Sequence, residues 1–305
     1  MKKLILGTAQ LGDSYGTITK TKKLDYQAAI NLIIKATSNG ICCIDTANSY
    51  NNSEKIIGSA LSLSSEKCRV ITKLSPLNHL HDLTNEEEAA DAAERSLKVS
   101  LERLKGIKDI SILLHRAKHL TEYNSAIWER LVLLKNLGLV KRLGVSVQNR
   151  YEAEMALKNK DVSVMQIPVN LLDWRWNSER FLELLYKRCD VEIHARSIYL
   201  QGILLRSKEF WPKIENCESE EILDNLENFV SLFGRKSKAD LCLAWVKGQQ
   251  WIDGVVVGME SEDQLFTNLK LFNEKPLDSI QIKQLNKKMQ DMVPEKLLNP
   301  SEWLR

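Results

Sequence analysis

Several things are missing from this 305-residue chain, and each absence excludes a class of protein. No apolar run approaches the ~18 residues that a membrane-spanning helix needs. The opening MKKLILGTAQLGDSYG starts like a secretory leader, with two lysines before apolar residues, but the run stops at Gly7. That is too short for a signal-peptide core, so the segment reads as a first strand and the chain as a soluble cytoplasmic protein with no membrane partner. Charge of one sign is missing too. Lys and Arg number 43 against 40 Asp and Glu, and a net charge of +3 leaves no basic footprint for nucleic acid. The six cysteines, Cys42, Cys43, Cys68, Cys189, Cys217 and Cys242, contain no Cys-x-x-Cys spacing. Several lie in apolar runs, so buried free thiols are expected. No metal site is expected, since His79 and His81 share a polar loop without a third ligand, and His119 and His194 match no ligand pattern. No internal repeat, low-complexity tract or Pro-rich linker divides the chain, so residues 1–305 read as one domain.

What is present is an alternation. Short, mostly apolar runs occur at 4–7, 41–45, 69–73, 110–115, 142–146, 162–167, 191–196 and 254–258. Such runs suit parallel strands buried on both faces. Between them lie amphipathic segments. Residues 26–38 place Ala29, Ile30, Ile33, Ile34 and Thr37 on one stripe, and 86–104 do the same with Ala90, Ala93, Leu97, Leu101 and Leu104. Asn39-Gly40 supplies the left-handed stop after the first. Eight strands alternating with helices predict a parallel α/β fold. The count of eight, and the lack of Gly-x-Gly-x-x-Gly after the first strand, favour a closed (β/α)8 TIM barrel over an open dinucleotide sheet. Residues 207–235 form a charged insertion of rim helices. Another helix at about 279–291 and an irregular tail ending NPSEWLR make a C-terminal helical extension.

In such barrels the chemistry sits at the C-terminal strand ends. Asp45 ends the second strand, with Tyr50 just beyond it; Lys73 ends the third and His115 the fourth. A phenol has a pKa near ~10, too high for an efficient acid at neutrality. A neighbouring ammonium lowers it, and a carboxylate holds that ammonium charged. Tyr50 then suits a general acid protonating a carbonyl oxygen, Lys73 and Asp45 tune it, and His115 orients the substrate. Singly, each has a plainer reading as a rim charge or a satisfied core residue; their joint placement on adjacent strands carries the expectation.

The chain resembles the aldo-keto reductase family along roughly nine-tenths of its length, through LGTAQLG, IDTANSYNNSEKIIG, ITKL, LLHRA, RLGVSV, MQIPVN, ARSIYLQGILL, LCLAWV and VVVGMESEDQLFTN. The resemblance implies an NAD(P)(H)-dependent oxidoreductase with an Asp45, Tyr50, Lys73 and His115 tetrad. It further implies that Ser146 and Gln166 bind the nicotinamide carboxamide, while Val147 departs from the Asn often found there. Arg196 stands where relatives stack an aromatic on the nicotinamide, and a planar guanidinium can stack as well. Ser197, Leu200 and Gly202 would line the pyrophosphate. Gly258, Glu260, Ser261, Gln264 and Asn268 would hold the adenosine end, where a helix N-terminus suits phosphate. The family prior favours NADP(H) and the Glu260 carboxylate favours NAD(H), whose ribose hydroxyl it can accept from; NADP(H) is placed slightly ahead.

For substrate, Tyr15, Trp174, Trp176, Tyr199 and Trp303 are candidate walls for a carbonyl or alcohol compound. A sugar fits both those aromatics and the resemblance of ARSIYLQGILL and PSEW to relatives from surface-polysaccharide metabolism. The oligomeric state stays open, and a monomer is compatible with the sequence because no heptad or long exposed apolar stripe demands a partner. Two rivals stay open: a Schiff-base lyase using Lys73, and a cofactor-sensing regulator on the same fold with little turnover.

Overall fold

All eight apolar runs become strands, in the expected places to within about two residues. The computed structural model describes residues 2–12 and 24–303. The strands are β1 (Lys3–Gly7), β2 (Cys43–Asp45), β3 (Arg69–Lys73), β4 (Ile110–Leu114), β5 (Arg142–Ser146), β6 (Val164–Pro168), β7 (Glu192–Arg196) and β8 (Gly254–Gly258). Each pairs in parallel with the next, and β8 closes on β1, giving a (β/α)8 barrel.

Strand alternation sorts the side chains into two cores. Ile5, Cys43, Ile71, Leu113 and Val164, with Val256 against them, fill the inside of the barrel. Their neighbours, such as Leu6, Ile44, Val70, Ile112 and Met165, face outward into the larger core shared with the helices. Gly7 lies beside both Asp45 and Gly258, and Ser146 beside Gln166. The register steps up by two residues from β2 to β3 and from β3 to β4, with Asp45 beside Ile71 and Lys73 beside Leu113. Advancing two residues from each inner apolar residue reaches Gly7, Asp45, Lys73, His115, Gln166 and Gly258, all of which line the barrel mouth.

The helices are α1 (Ala9–Gly12), α2 (Tyr26–Ser38), α3 (Ser53–Leu63), α4 (Glu86–Arg103), α5 (Ala126–Asn136) and α6 (Arg150–Lys158). After them come α7 (Glu179–Lys187), α8 (Ser219–Leu232), α9 (Lys238–Gly248), α10 (Glu262–Asn273) and α11 (Ser279–Gln290). Helix α2 starts where the Asp25 side chain accepts from the Ala28 amide at 2.7 Å, and stops at Gly40 with φ 90°. Its buried stripe is turned slightly from the expected one: Leu32 and Ala36 are covered and Ile34 only half so. In α4 an Asn85 cap and three first-turn glutamates complement the helix dipole, and Ala89, Ala90, Ala93 and Leu97 are buried. The 207–235 insertion supplies a 3-10 turn, Lys208–Phe210, and α8.

The cysteines depart from expectation. Only Cys43 and Cys242 are buried; Cys68 and Cys217 are partly exposed, and Cys42 and Cys189 exposed, all of them free thiols. Among the described residues, no helix is long and apolar enough to cross a membrane.

Candidate active site

Asp45 and Lys73 are the last residues of adjacent strands, and both are almost fully buried. Lys73 Nζ donates to Asp45 Oδ1 at 2.8 Å, to Asp45 Oδ2 at 2.9 Å and to the Thr46 carbonyl at 2.8 Å. From β6, Gln166 Nε2 donates to Asp45 Oδ1 at 2.7 Å. A charge pair this far from water persists only with such complete bonding.

Tyr50 is delivered by the turn after β2. The chain keeps pairing with β3 past the strand end, with Thr46 N donating to Ile71 O at 2.8 Å and Asn48 N to Lys73 O at 3.0 Å. It then turns, Tyr50 N donating to Ala47 O, with left-handed Asn51 leading into α3. The half-buried Tyr50 ring ends 5.3 Å from Lys73 Nζ, and His115 meets it edge-on, 6.3 Å between centroids. Burial, then the nearby charges of Lys73, Arg196 and Arg116, push the His115 imidazole down to about 3, so it is neutral at physiological pH.

The remaining polar residues of the IDTANSYNNSEKIIG stretch brace this turn. Thr46 Oγ1 donates to Ser53 Oγ at 2.9 Å, Ser53 Oγ to Thr8 Oγ1 at 2.7 Å, and Thr8 Oγ1 to the Asp45 carbonyl at 2.8 Å. The fully buried Glu54 accepts from Thr72 Oγ1 at 2.6 Å and from Arg103 of α4 at 3.1 Å. Arg103 also donates to the Asn48 carbonyl at 3.3 Å, two residues before Tyr50. Gly58 is required because an added Cβ would overlap the Arg103 carbonyl where α4 crosses α3. The IDTANSYNNSEKIIG stretch thus divides into tetrad candidates and the residues that brace them, and only the candidates were assigned roles from sequence.

The four tetrad candidates line one cleft of about 680 Å³ that runs from the barrel mouth to α10. Ser146, Gln166, Arg196, Ser197, Gly202, Gly258, Glu260, Gln264 and Asn268 line it too. Two candidates for cofactor contact do not. Leu200 points into the core at 1% exposure, and Ser261 instead caps α10 by accepting from Gln264 N at 3.1 Å. The Gln264 amide folds back to accept from Glu260 N at 2.7 Å, and Asn268 accepts from Tyr199 Oη at 3.3 Å. Arg196 donates to the Val147 carbonyl at 3.0 Å and to Ser197 Oγ at 3.3 Å, so the residue replacing an amide there anchors the guanidinium.

Of the five aromatic candidates, Tyr199 lines the cleft, at its α10 side. Trp174, Trp176 and Trp303 are absent from its described lining, because each indole is engaged elsewhere. Trp174 donates to Val293 O, Trp176 to Asp173 within the same turn, and Trp303 to Leu297 O. Tyr15 lies outside the described residues. The sequence reading missed Thr8, Gln10, Gln148, Arg206 and Asp263, all of which line the cleft. Thr8 and Gln10 follow β1 as Tyr50 follows β2, so position past a strand end was a usable signal; Arg206 and Asp263 carried none.

The residues fit an extended dinucleotide. Gln166 Oε1 is buried without a hydrogen-bond partner among the described residues, at the barrel mouth beside Ser146. Gly202, at φ 89°, has open space where a Cβ would project, as a backbone approaching a ligand needs.

A closed eight-stranded barrel whose mouth holds an Asp–Lys pair beside a tyrosine and a neutral histidine has the groups that oxidoreductase chemistry on a carbonyl would need. The chain belongs to the aldo/keto reductase family, whose pattern matches residues 3–290. It is 25% identical to an NADH-specific methylglyoxal reductase of Escherichia coli over 302 residues, 90% of each chain. Among solved structures, an aldo-keto reductase from Bacillus halodurans in its holo form superposes with a TM-score of 0.71 at 21% identity, covering 97% of this chain and 95% of that one. One from Brucella melitensis gives a TM-score of 0.64 at 19% identity, covering 93% of both. The chain is therefore an NAD(P)H-dependent oxidoreductase of carbonyl compounds.

Proposed function

We propose that this enzyme reduces a small aldehyde or ketone with Tyr50 as the general acid and with NADH as the preferred reductant. The observation that carries the reading is the Lys73 ammonium, fixed by both Asp45 oxygens and set 5.3 Å from the Tyr50 ring. That cation stabilises the phenolate, so Tyr50 releases its proton to the carbonyl oxygen near neutral pH. His115, kept neutral by burial and the nearby cations, carries no extra proton to give and instead supplies a hydrogen bond that aims the same oxygen. When bound, the nicotinamide dinucleotide supplies the hydride that reduces the carbonyl carbon.

The half-buried Glu260 and nearby Asp263 put two carboxylates in the cleft lining. They disfavour a 2′-phosphate and suit a free ribose hydroxyl, while Arg206 suits the pyrophosphate. This reading, in keeping with the NADH-specific relative, moves the slight sequence preference for NADP(H) toward NAD(H). A sugar substrate loses support with the three tryptophans that do not line the cleft, and a small oxoaldehyde of the kind the relative is named for suits the site better. The lyase alternative also weakens: three Lys73 donor bonds go to Asp45 and Thr46, which holds an ammonium rather than a nucleophilic amine.

The test pairs wild type with Tyr50→Phe, assayed with methylglyoxal and either NADH or NADPH. Wild type should turn over faster with NADH, and Tyr50→Phe should lose ~10²-fold or more in kcat while still quenching tryptophan fluorescence on binding NADH. Full activity in Tyr50→Phe would remove it from the acid role, and dinucleotide binding without wild-type turnover would favour a sensor.

A further inference from the structure

Asp45 has one more bond than an ion pair with Lys73 requires. Its Oδ1 accepts both Lys73 Nζ and, from the far side of the barrel, Gln166 Nε2 at 2.7 Å. A carboxylate only accepts, so the Gln166 amide has no choice of orientation: nitrogen to Asp45, oxygen away from it. That oxygen is buried and unpartnered among the described residues, although Gln166 itself lines the cleft. One end of the amide is bonded to the proton machinery and the other awaits a donor.

We propose that Gln166 is a positioning residue for the acid, linking whatever donates to its Oε1 with the charge on Asp45 and, through Lys73, with Tyr50. The link is electrostatic and has a definite sign. The Nε2 hydrogen bond withdraws charge from Asp45, so less negative charge offsets the Lys73 cation where it faces the Tyr50 ring. Hydrogen bonds in series polarise one another. A donor seated on Oε1 makes Nε2–H a stronger donor to Asp45, and Lys73 then acts more fully on Tyr50. The acid is strengthened when the cleft is filled at that point, and less so when it is not. Ser146, level with Gln166 on the neighbouring strand, offers a hydroxyl for the other half of an amide-bearing ligand and holds the donor in register.

The inference rests on Tyr50 being the general acid, and the two stand or fall by different measurements. The experiment is the pH profile of kcat at saturating NADH for wild type and Gln166→Met, which keeps the length and removes both polar atoms. Reduction is lost on the alkaline side as Tyr50 deprotonates. With Asp45 no longer relieved by Gln166, the phenolate is less stabilised, and the alkaline limb should move up by about half a pH unit or more. Gln166→Asn, one methylene shorter and still polar, should move it in the same direction and serves if the Met variant does not fold. An unmoved limb, with only KM for NADH raised, would overturn the proposal and leave Gln166 as a ligand contact alone. So would complete inactivity at every pH in a variant that binds NADH, because the link modulates the acid and does not replace it. If Tyr50→Phe retains full activity the acid assignment itself is lost; if it is inactive and the limb is unmoved, only the link is lost.

Discussion

The Arg103–Glu54 pair offers a sharp test of how the Tyr50 turn is held, because its partners differ in burial. Glu54 is fully buried, whereas the Arg103 side chain is 26% exposed. Arg103→Ala therefore strands a carboxylate in the core with only the Thr72 hydroxyl for company. Breaking a buried pair from that side costs ~3–5 kcal/mol. At ~2.1 cal/mol/K per residue, 305 residues give an unfolding entropy near ~0.6 kcal/mol/K, so the melting temperature should fall by ~5–8 °C. Glu54→Gln alone should cost less, ~1–2 kcal/mol, since the amide oxygen still accepts from Thr72 and Arg103 can turn toward water. The decisive variant combines the two. Adding Glu54→Gln to Arg103→Ala removes the stranded charge, and the double variant should melt ~2–5 °C above Arg103→Ala. Thermal denaturation by circular dichroism measures all four proteins. A double variant melting at or below Arg103→Ala would refute the idea that buried charge, not lost packing, dominates. Turnover gives a second reading: without Arg103 the Asn48 carbonyl loses its tether, and kcat should fall in both Arg103→Ala proteins.

Two further perturbations follow from the same packing and from the histidines. In Gly58→Ala, helix propensity predicts a gain of ~0.5–1 kcal/mol, but the new methyl would overlap the Arg103 carbonyl, so a net loss of ~1–3 kcal/mol is expected. A urea titration in which Gly58→Ala is more stable than wild type would show that α3 and α4 part freely. Burial pushes His115 down to about 3 and His119 down to about 4, against ~6.5 in the unfolded chain. The unfolded state thus binds more protons between those values, and stability should fall as pH drops from ~6.5 toward 4, by up to ~1.4 kcal/mol per pH unit for each imidazole. A urea midpoint that stays level between pH 6.5 and pH 5 would mean that both rings protonate in the folded protein.

How far the site could be read from the sequence follows from how far an extended chain carries its parity. Each inner apolar strand residue is followed two places later by a site residue: Cys43 by Asp45, Ile71 by Lys73, Leu113 by His115, Val164 by Gln166. A strand recognised by its apolar run therefore aims the residue two places past its inner apolar position without further information, and the tetrad needed only Tyr50 from outside that rule. Its place just past Asp45, within the IDTANSYNNSEKIIG stretch that carries the family resemblance, supplied it, and the turn delivers it because the chain keeps pairing with β3 through Asn48.

Past β7 the same reasoning fails for an identifiable reason. Ser197, Leu200, Gln201 and Gly202 all have positive φ, at 60°, 46°, 56° and 89°. Alternation has no meaning in a left-handed stretch, so Leu200 turns into the core while Tyr199 and Gly202 line the cleft. The tryptophans fail differently. Trp174 is fixed by the carbonyl of Val293, 119 residues away, and no local pattern encodes that bond. Glu54 and Arg103 are likewise 49 residues apart on separate helices. Three of the tetrad candidates, Asp45, Lys73 and His115, sit at or just past strand ends, where local periodicity aims them; the residues that brace the Tyr50 turn are joined across the fold. For that reason the four tetrad candidates could be named from sequence while the brace that positions one of them could not.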